Sequence, residues 1–131
     1  MKIKQEVRDQ IIAHAKADTP IEVCGYLAET DGLVDIAYPL INVDQAEDHY
    51  TLDPKEQFAT IKKIREAGRK VSAVYHSHPE TPSRMSEEDI RLAYDPTISY
   101  VIVSLAAEEP VVNSFKVRKG VVEKELVEVI I

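Results

Sequence analysis

Hydrophobic positions recur along this chain with two periods, and the alternation between them predicts its architecture. Within residues 4–17, Val7, Ile11 and Ala15 fall four apart, an apolar helical stripe that stops before Asp18-Thr19-Pro20. The period then drops to two. Over residues 21–28, Ile21, Val23, Gly25 and Leu27 share one strand face, and Glu22, Cys24, Tyr26 and Ala28 the other. Asp31-Gly32 supplies a hairpin turn, with a returning strand over residues 33–38. Asp53-Pro54-Lys55-Glu56 combines an N-cap, a proline at the first helical position and an acidic third position. It opens a helix whose apolar side is Phe58, Ile61 and Ile64, with Gly68 as its stop. Residues 71–76 read as a short buried strand, and residues 77–85, holding Pro79 and Pro82, as a loop. Ser86 begins a helix over residues 86–94, and a β-branched strand follows over 98–105. Residues 111–117 and 121–130 pair as a closing hairpin around Lys119-Gly120. The sum is an α/β fold, a mixed β-sheet flanked by helices, in one domain spanning residues 1–131.

Composition narrows the chemistry. Hydrophobic residues make up 44% of the 131 positions and charged residues 30%, which excludes disordered and low-complexity classes. Sixteen Lys and Arg against twenty-three Asp and Glu leave a net charge of -7, so neither nucleic acid nor an anionic membrane is an expected partner. A single cysteine, Cys24, forms no internal disulfide and no multi-cysteine metal site. Any metal must therefore be held by nitrogen and oxygen, and a zinc deaminase, which needs paired cysteines, is excluded. The opening MKIKQEVRDQ has no apolar signal-peptide core and reads as the beginning of a mature, cytoplasmic protein. No apolar run approaches the roughly 18 residues of a membrane span.

The informative segment is His76-Ser77-His78-Pro79, followed after six residues by Ser86-Glu87-Glu88-Asp89. In extended backbone, residues two apart point to the same side, so His76 and His78 can present both imidazoles to one point. If the loop returns the first turn of the next helix, Asp89 completes a two-histidine, one-carboxylate set. Such a set is that of a catalytic zinc site, with a fourth position left for water. An activated water needs a carboxylate that is not itself a ligand to take its proton, and Glu22, on the strand face away from Ile21, Val23 and Leu27, is the candidate. Ser86 is placed to donate to an oxygen that becomes negative during attack on a carbonyl.

These positions together resemble the JAMM motif of the JAB1/MPN/Mov34 metalloprotease family: His-x-His-Pro, six residues, Ser, two residues, Asp, with a preceding glutamate in Ile21-Glu22-Val23-Cys24-Gly25-Tyr26-Leu27. The likeness is strongest over residues 22–27 and 71–93, and it is greatest to the small prokaryotic branch acting on ubiquitin-like sulfur-carrier proteins. It implies the three-layer JAB/MPN (cytidine deaminase-like) architecture. It further implies zinc held by His76, His78 and Asp89, Glu22 as acid and base, and Ser86 stabilising the tetrahedral intermediate. The implied reaction is hydrolysis of a peptide or isopeptide bond at the C-terminus of a ubiquitin-like sulfur carrier, with cysteine as one group released and a link to cysteine biosynthesis. Many relatives carry proline before the motif serine, where this chain has Met85.

Blander readings accompany each residue. Ser86 to Asp89 is also a helix capping box, and His-x-His alone is usually two unrelated histidines. Cys24 reads as a small buried residue, His14 as a helix-face residue, and His49, beside Tyr50 in an acidic stretch, as a surface residue with lining of a groove as the alternative. Three rival functions are weighed: a non-catalytic MPN-type interaction scaffold, which typically lacks the metal ligands, an isopeptidase of broader, deubiquitinase-like specificity, and a DNA-repair-associated relative, which the net charge of -7 weighs against. Only 42 residues follow Asp89, so the insertions of linkage-selective deubiquitinases are not expected. Oligomeric state stays open.

Overall fold

A computed structural model describes residues 1–131. The chain runs β1 (Lys2–Lys4), α1 (Gln5–Asp18), β2 (Cys24–Thr30), β3 (Leu33–Leu40), α2 (Pro54–Glu66), β4 (Lys70–His78), α3 (Glu87–Arg91), β5 (Ser99–Ser104), β6 (Val111–Arg118), β7 (Val121–Glu125) and β8 (Glu128–Ile130). All eight strands join one mixed sheet in the order β7-β6-β5-β4-β2-β3-β1-β8. β4 lies antiparallel to β2 and parallel to β5. The end strands β7 and β8 are joined by only Leu126 and Val127, so the sheet curls until its two margins are neighbours.

Both faces of the central strands are buried. Val7, Ile11 and Ala15 of α1 pack with Ile3, Leu27, Val34 and Tyr75 on one face. On the other, Ile64 of α2 packs with Cys24, Tyr26, Ala28, Val74 and Tyr100. Helices on opposite faces of a sheet make three layers, as the family resemblance implies. Alternation along residues 21–28 sorts the two faces correctly, but the Glu22, Cys24, Tyr26 and Ala28 side is a second core under α2 rather than an open one. Gly25 is required by close packing: a Cβ there would lie 2.5 Å from the Tyr75 ring and 2.6 Å from the Tyr38 carbonyl oxygen.

Several expectations need correction. Phe58 does not line the core; it is 74% exposed, and Ile64 alone on α2 is fully buried. The helix expected over residues 86–94 closes after Arg91. Residues 121–130 do not form one hairpin arm, because β8 leaves β7 and pairs in parallel with β1. Strand β4 runs to His78 and not only to position 76, since β5 supplies a parallel neighbour as far as the His78–Ser104 pair. No helix is long and apolar enough to cross a membrane.

Candidate active site

Strand β4 aims the histidines. His76 is paired in register with Cys24 of β2 and Ile102 of β5, and His78 with Ser104 of β5. Their shared parity sends both rings to the α2 face, where the two Nε2 atoms lie 3.1 Å apart. The following loop is tied back to β5 and β6. Ser83 Oγ donates to the Ile102 carbonyl (2.7 Å), Ser104 Oγ to that of Thr81 (2.5 Å), and Asn113 Nδ2 to that of Ser83 (2.9 Å). These bonds return the chain so that α3 starts beside the histidines.

At that start the capping box and the candidate ligand are one structure. Ser86 Oγ accepts from the Asp89 backbone N–H at 3.0 Å, and Asp89 Oδ2 accepts from the Ser86 N–H at 3.0 Å. The carboxylate held by this exchange sits 3.2 Å from His78 Nε2 and 3.3 Å from His76 Nε2. Met85, where many relatives have proline, packs partly buried against the α2-side core.

Glu22 precedes β2 and is only 3% exposed, with Oε1 3.9 Å from His76 Nε2. Its neighbour Val23 is locked to β4 by a donation to Ser77 Oγ (2.8 Å), while the Val23 carbonyl accepts from the Ser77 N–H (3.0 Å). Ligand atoms of Glu22, His76 and His78 all lie within 4.8 Å of one another. The structure thus brings together four predicted residues, Glu22, His76, His78 and Asp89, and sets Ser86 at their rim as the α3 N-cap. A cleft of about 20 Å³ opens beside His76, Asp89, Met85 and Tyr100, room for one water molecule.

The electrostatics follow from burial and from the pairing of charges. Burial pushes the Glu22 carboxyl up to about 8, opposed by His78 and reinforced by Asp89. Burial lowers His76, and only partly does Asp89 offset it. Burial also acts to lower His78, but hydrogen bonds with Asp89 and the Pro82 carbonyl outweigh it and raise the group. For Asp89, burial is overcome by hydrogen bonds from both histidines, and its carboxyl falls well below the usual range. Cys24 is pushed up to about 12, chiefly by burial, as suits an inert core thiol.

The donor set fits a divalent metal. His78 Nδ1 lies 2.9 Å from the Pro82 carbonyl oxygen, a contact that keeps a proton on Nδ1, so the neutral ring, having given up the Nε2 proton it shares with Asp89, presents its lone pair at Nε2. That lone pair faces His76 Nε2 and the Asp89 carboxylate, so two nitrogens and an anionic oxygen converge on a point that calls for positive charge. His76 Nδ1 is buried without a hydrogen-bond partner.

Sequence reasoning missed two residues. Tyr50 stacks on the His76 ring, centroids 4.9 Å apart at 29°, and Asn42 is buried beneath Glu22 with its side-chain Nδ2 2.9 Å from the Glu22 carbonyl oxygen. Both lie in the irregular segment after β3, where no periodicity signals a role. His49 stays on the surface between Asp44 and Asp48 and borders the small cleft, and His14 joins the Tyr75 hydroxyl at 2.8 Å on the α1 face.

Comparison with known proteins decides the family. The model describing prokaryotic homologs of the JAB domain matches residues 4–118. The chain belongs to the prokaryotic JAB family. The chain is 30% identical over 131 residues to the CysO-cysteine peptidase of Mycobacterium tuberculosis, covering 98% of this chain and 90% of that protein. It is 38% identical over 112 residues to the desampylase of Haloferax volcanii, covering 79% and 80%. The solution structure of protein DSY2949 from Desulfitobacterium hafniense superposes with a TM-score of 0.88 at 40% identity, covering 98% and 91%. With this membership and a metal-competent site, the prokaryotic JAB chain is a hydrolase.

Proposed function

We propose that this prokaryotic JAB protein is a zinc metallopeptidase, acting as one domain over residues 1–131 in the cytoplasm. Its substrate is a ubiquitin-like sulfur-carrier protein, cut at the peptide or isopeptide bond following the carrier's C-terminal glycine, with cysteine as one group released. The observation that carries the reading is the convergence of His76, His78 and Asp89 at 3.1–3.3 Å beside a buried Glu22. The relatives named CysO-cysteine peptidase and desampylase support the substrate class.

In this reading His76 Nε2, His78 Nε2 and the Asp89 carboxylate hold the zinc. Zinc, when bound, supplies Lewis acidity that activates water and offsets negative charge on a carbonyl oxygen. Glu22 lies nearer His76 than any other acidic side chain except Asp89, and is assigned the proton work. A cation held beside it would favour the carboxylate over the protonated form that burial promotes, and this carboxylate takes a proton as water oxygen bonds to the carbonyl carbon. It then gives that proton to the departing amine as the C–N bond breaks, leaving a carboxylate on the carrier. Ser86 Oγ accepts from the Asp89 N–H, so its own O–H remains free to donate to the carbonyl oxygen as it becomes negative. The scaffold reading is disfavoured because the ligand set and Glu22 are present and converge.

The test is incubation of zinc-loaded protein with sulfur carriers extended beyond their terminal glycine by cysteine or by longer peptides, read by mass spectrometry. Loss of the extension from the glycine is expected. A sample holding about one zinc per chain that cleaves none of them overturns the substrate assignment.

A further inference from the structure

Glu22 stands outside the sheet: β2 begins at Cys24, and no strand ladder fixes the glutamate backbone. Its neighbour Val23 is held to β4 through Ser77, and both backbone polar groups of Glu22 itself are held by the segment after β3. The Glu22 N–H donates to the Ala46 carbonyl at 2.9 Å, and the Glu22 carbonyl accepts from Asn42 Nδ2 at 2.9 Å. Asn42 uses its whole amide. Nδ2 also donates to the His49 carbonyl (2.9 Å), while Oδ1 accepts from the N–H groups of Asp44 (3.2 Å) and Thr51 (3.1 Å). A buried amide with four partners fixes a loop firmly, because any displacement strands several polar groups away from water.

The same loop ends on the histidine. Fixing the His49 carbonyl and the Thr51 N–H fixes the residue between them, Tyr50, whose ring stacks on His76. Metal-binding histidines ordinarily gain their orientation from a hydrogen bond at the other ring nitrogen. His78 has that bond, to the Pro82 carbonyl, but His76 Nδ1 has none. In place of that bond, the stacked Tyr50 ring restrains the plane of the His76 imidazole.

We propose that Asn42 and Tyr50 are positioning residues of the active site: the Asn42 amide sets the Glu22 backbone, and through the same loop it seats Tyr50 as the clamp that orients His76. The inference rests on the metallopeptidase reading and extends it to a loop that touches no reacting atom.

The two parts separate by variant. Tyr50→Phe keeps the ring that stacks on His76 and retains wild-type zinc affinity. Tyr50→Leu removes the aromatic face and weakens zinc binding about tenfold, in line with other outer partners of metal ligands. Asn42→Asp keeps the acceptor and loses both donations, and Asn42→Ala loses all four bonds. Both lower kcat roughly tenfold to a hundredfold with KM within about twofold, and both weaken zinc binding as Tyr50→Leu does. Zinc affinity is read by competition with a chromophoric chelator, without substrate. Failure of the substrate assignment therefore leaves this measurement intact, whereas a wild-type chain that takes up no zinc overturns both readings. Wild-type zinc affinity in Tyr50→Leu, or wild-type kcat in a folded Asn42→Asp, overturns the inference whatever the melting temperature does. Should Asn42→Ala fail to fold, the Tyr50→Phe and Tyr50→Leu pair decides.

Discussion

Ser86 and Glu22 separate local structure from chemistry. As N-cap, Ser86 Oγ accepts from Asp89 N–H, and loss of such a cap costs about 1 kcal/mol. Should the hydroxyl also hold a developing oxyanion, Ser86→Ala slows cleavage roughly tenfold to a thousandfold. Melting and kinetics on the same variant distinguish the roles: a lowered melting temperature with unchanged kcat leaves only the cap. Glu22→Gln preserves shape and burial but cannot carry the proton. Under the proposed mechanism the variant takes up metal as wild type does and loses turnover, and normal hydrolysis by it rules out the proposed proton role of Glu22. Spacing brought two histidines to one strand face and an aspartate three after a serine, whereas Glu22, which alone reads as a solvated strand residue, was singled out by the family resemblance. Asn42 and Tyr50 carried no such signal, since their roles arise from hydrogen bonds and stacking across 20 and 26 positions of sequence.

Each element of the site is placed by a neighbour that sequence periodicity does not name. β4 presents both histidines because β2 and β5 hold it extended, and the β5 ladder reaches His78. The expected loop over residues 77–85 therefore began two residues late in the folded chain. α3 closes after five residues, with Ile90 and Ala93 resting partly buried on the α2-side core. In α2, an apolar stripe suggests three equivalent positions, but the sheet beneath meets Ile64 and leaves Phe58 in solvent. Substitution reads the difference. Ile64→Ala is expected to cost about 2–5 kcal/mol through lost burial and a residual cavity. Phe58→Ala is expected to stay within about 0.5 kcal/mol. Urea midpoints measure both, and equal losses would place Phe58 back in the core.

Across the whole molecule, closure of the curled sheet concentrates charge at one seam. Glu125, the last residue of β7, accepts from Ser99 of β5 and Ser114 of β6, and its Oε1 lies 3.2 Å from the Met1 amino group. Long-range pairing of this kind was not legible in sequence, where residues 121–130 read as one strand; the parallel β1–β8 pairing that divides them joins opposite ends of the chain. Burial acts to raise the Glu125 carboxyl, but the two hydroxyl donors and the ammonium outweigh it and hold the group below its ordinary value near 4.5. Between the folded and unfolded values the unfolded chain binds more protons, so stability rises with pH there. The contribution is fully present above the ordinary value and drains away as pH falls through the lowered one. Glu125→Gln is therefore expected to cost roughly 1–3 kcal/mol at pH 7, the scale of a lost charge-assisted hydrogen bond. The gap between wild type and variant should narrow as the pH drops below about 4.5. Urea midpoints at pH 7 and at successive steps below pH 5 measure that gap. A gap of constant size would mean that Glu125 holds the seam by shape and neutral hydrogen bonding, with its charge contributing nothing.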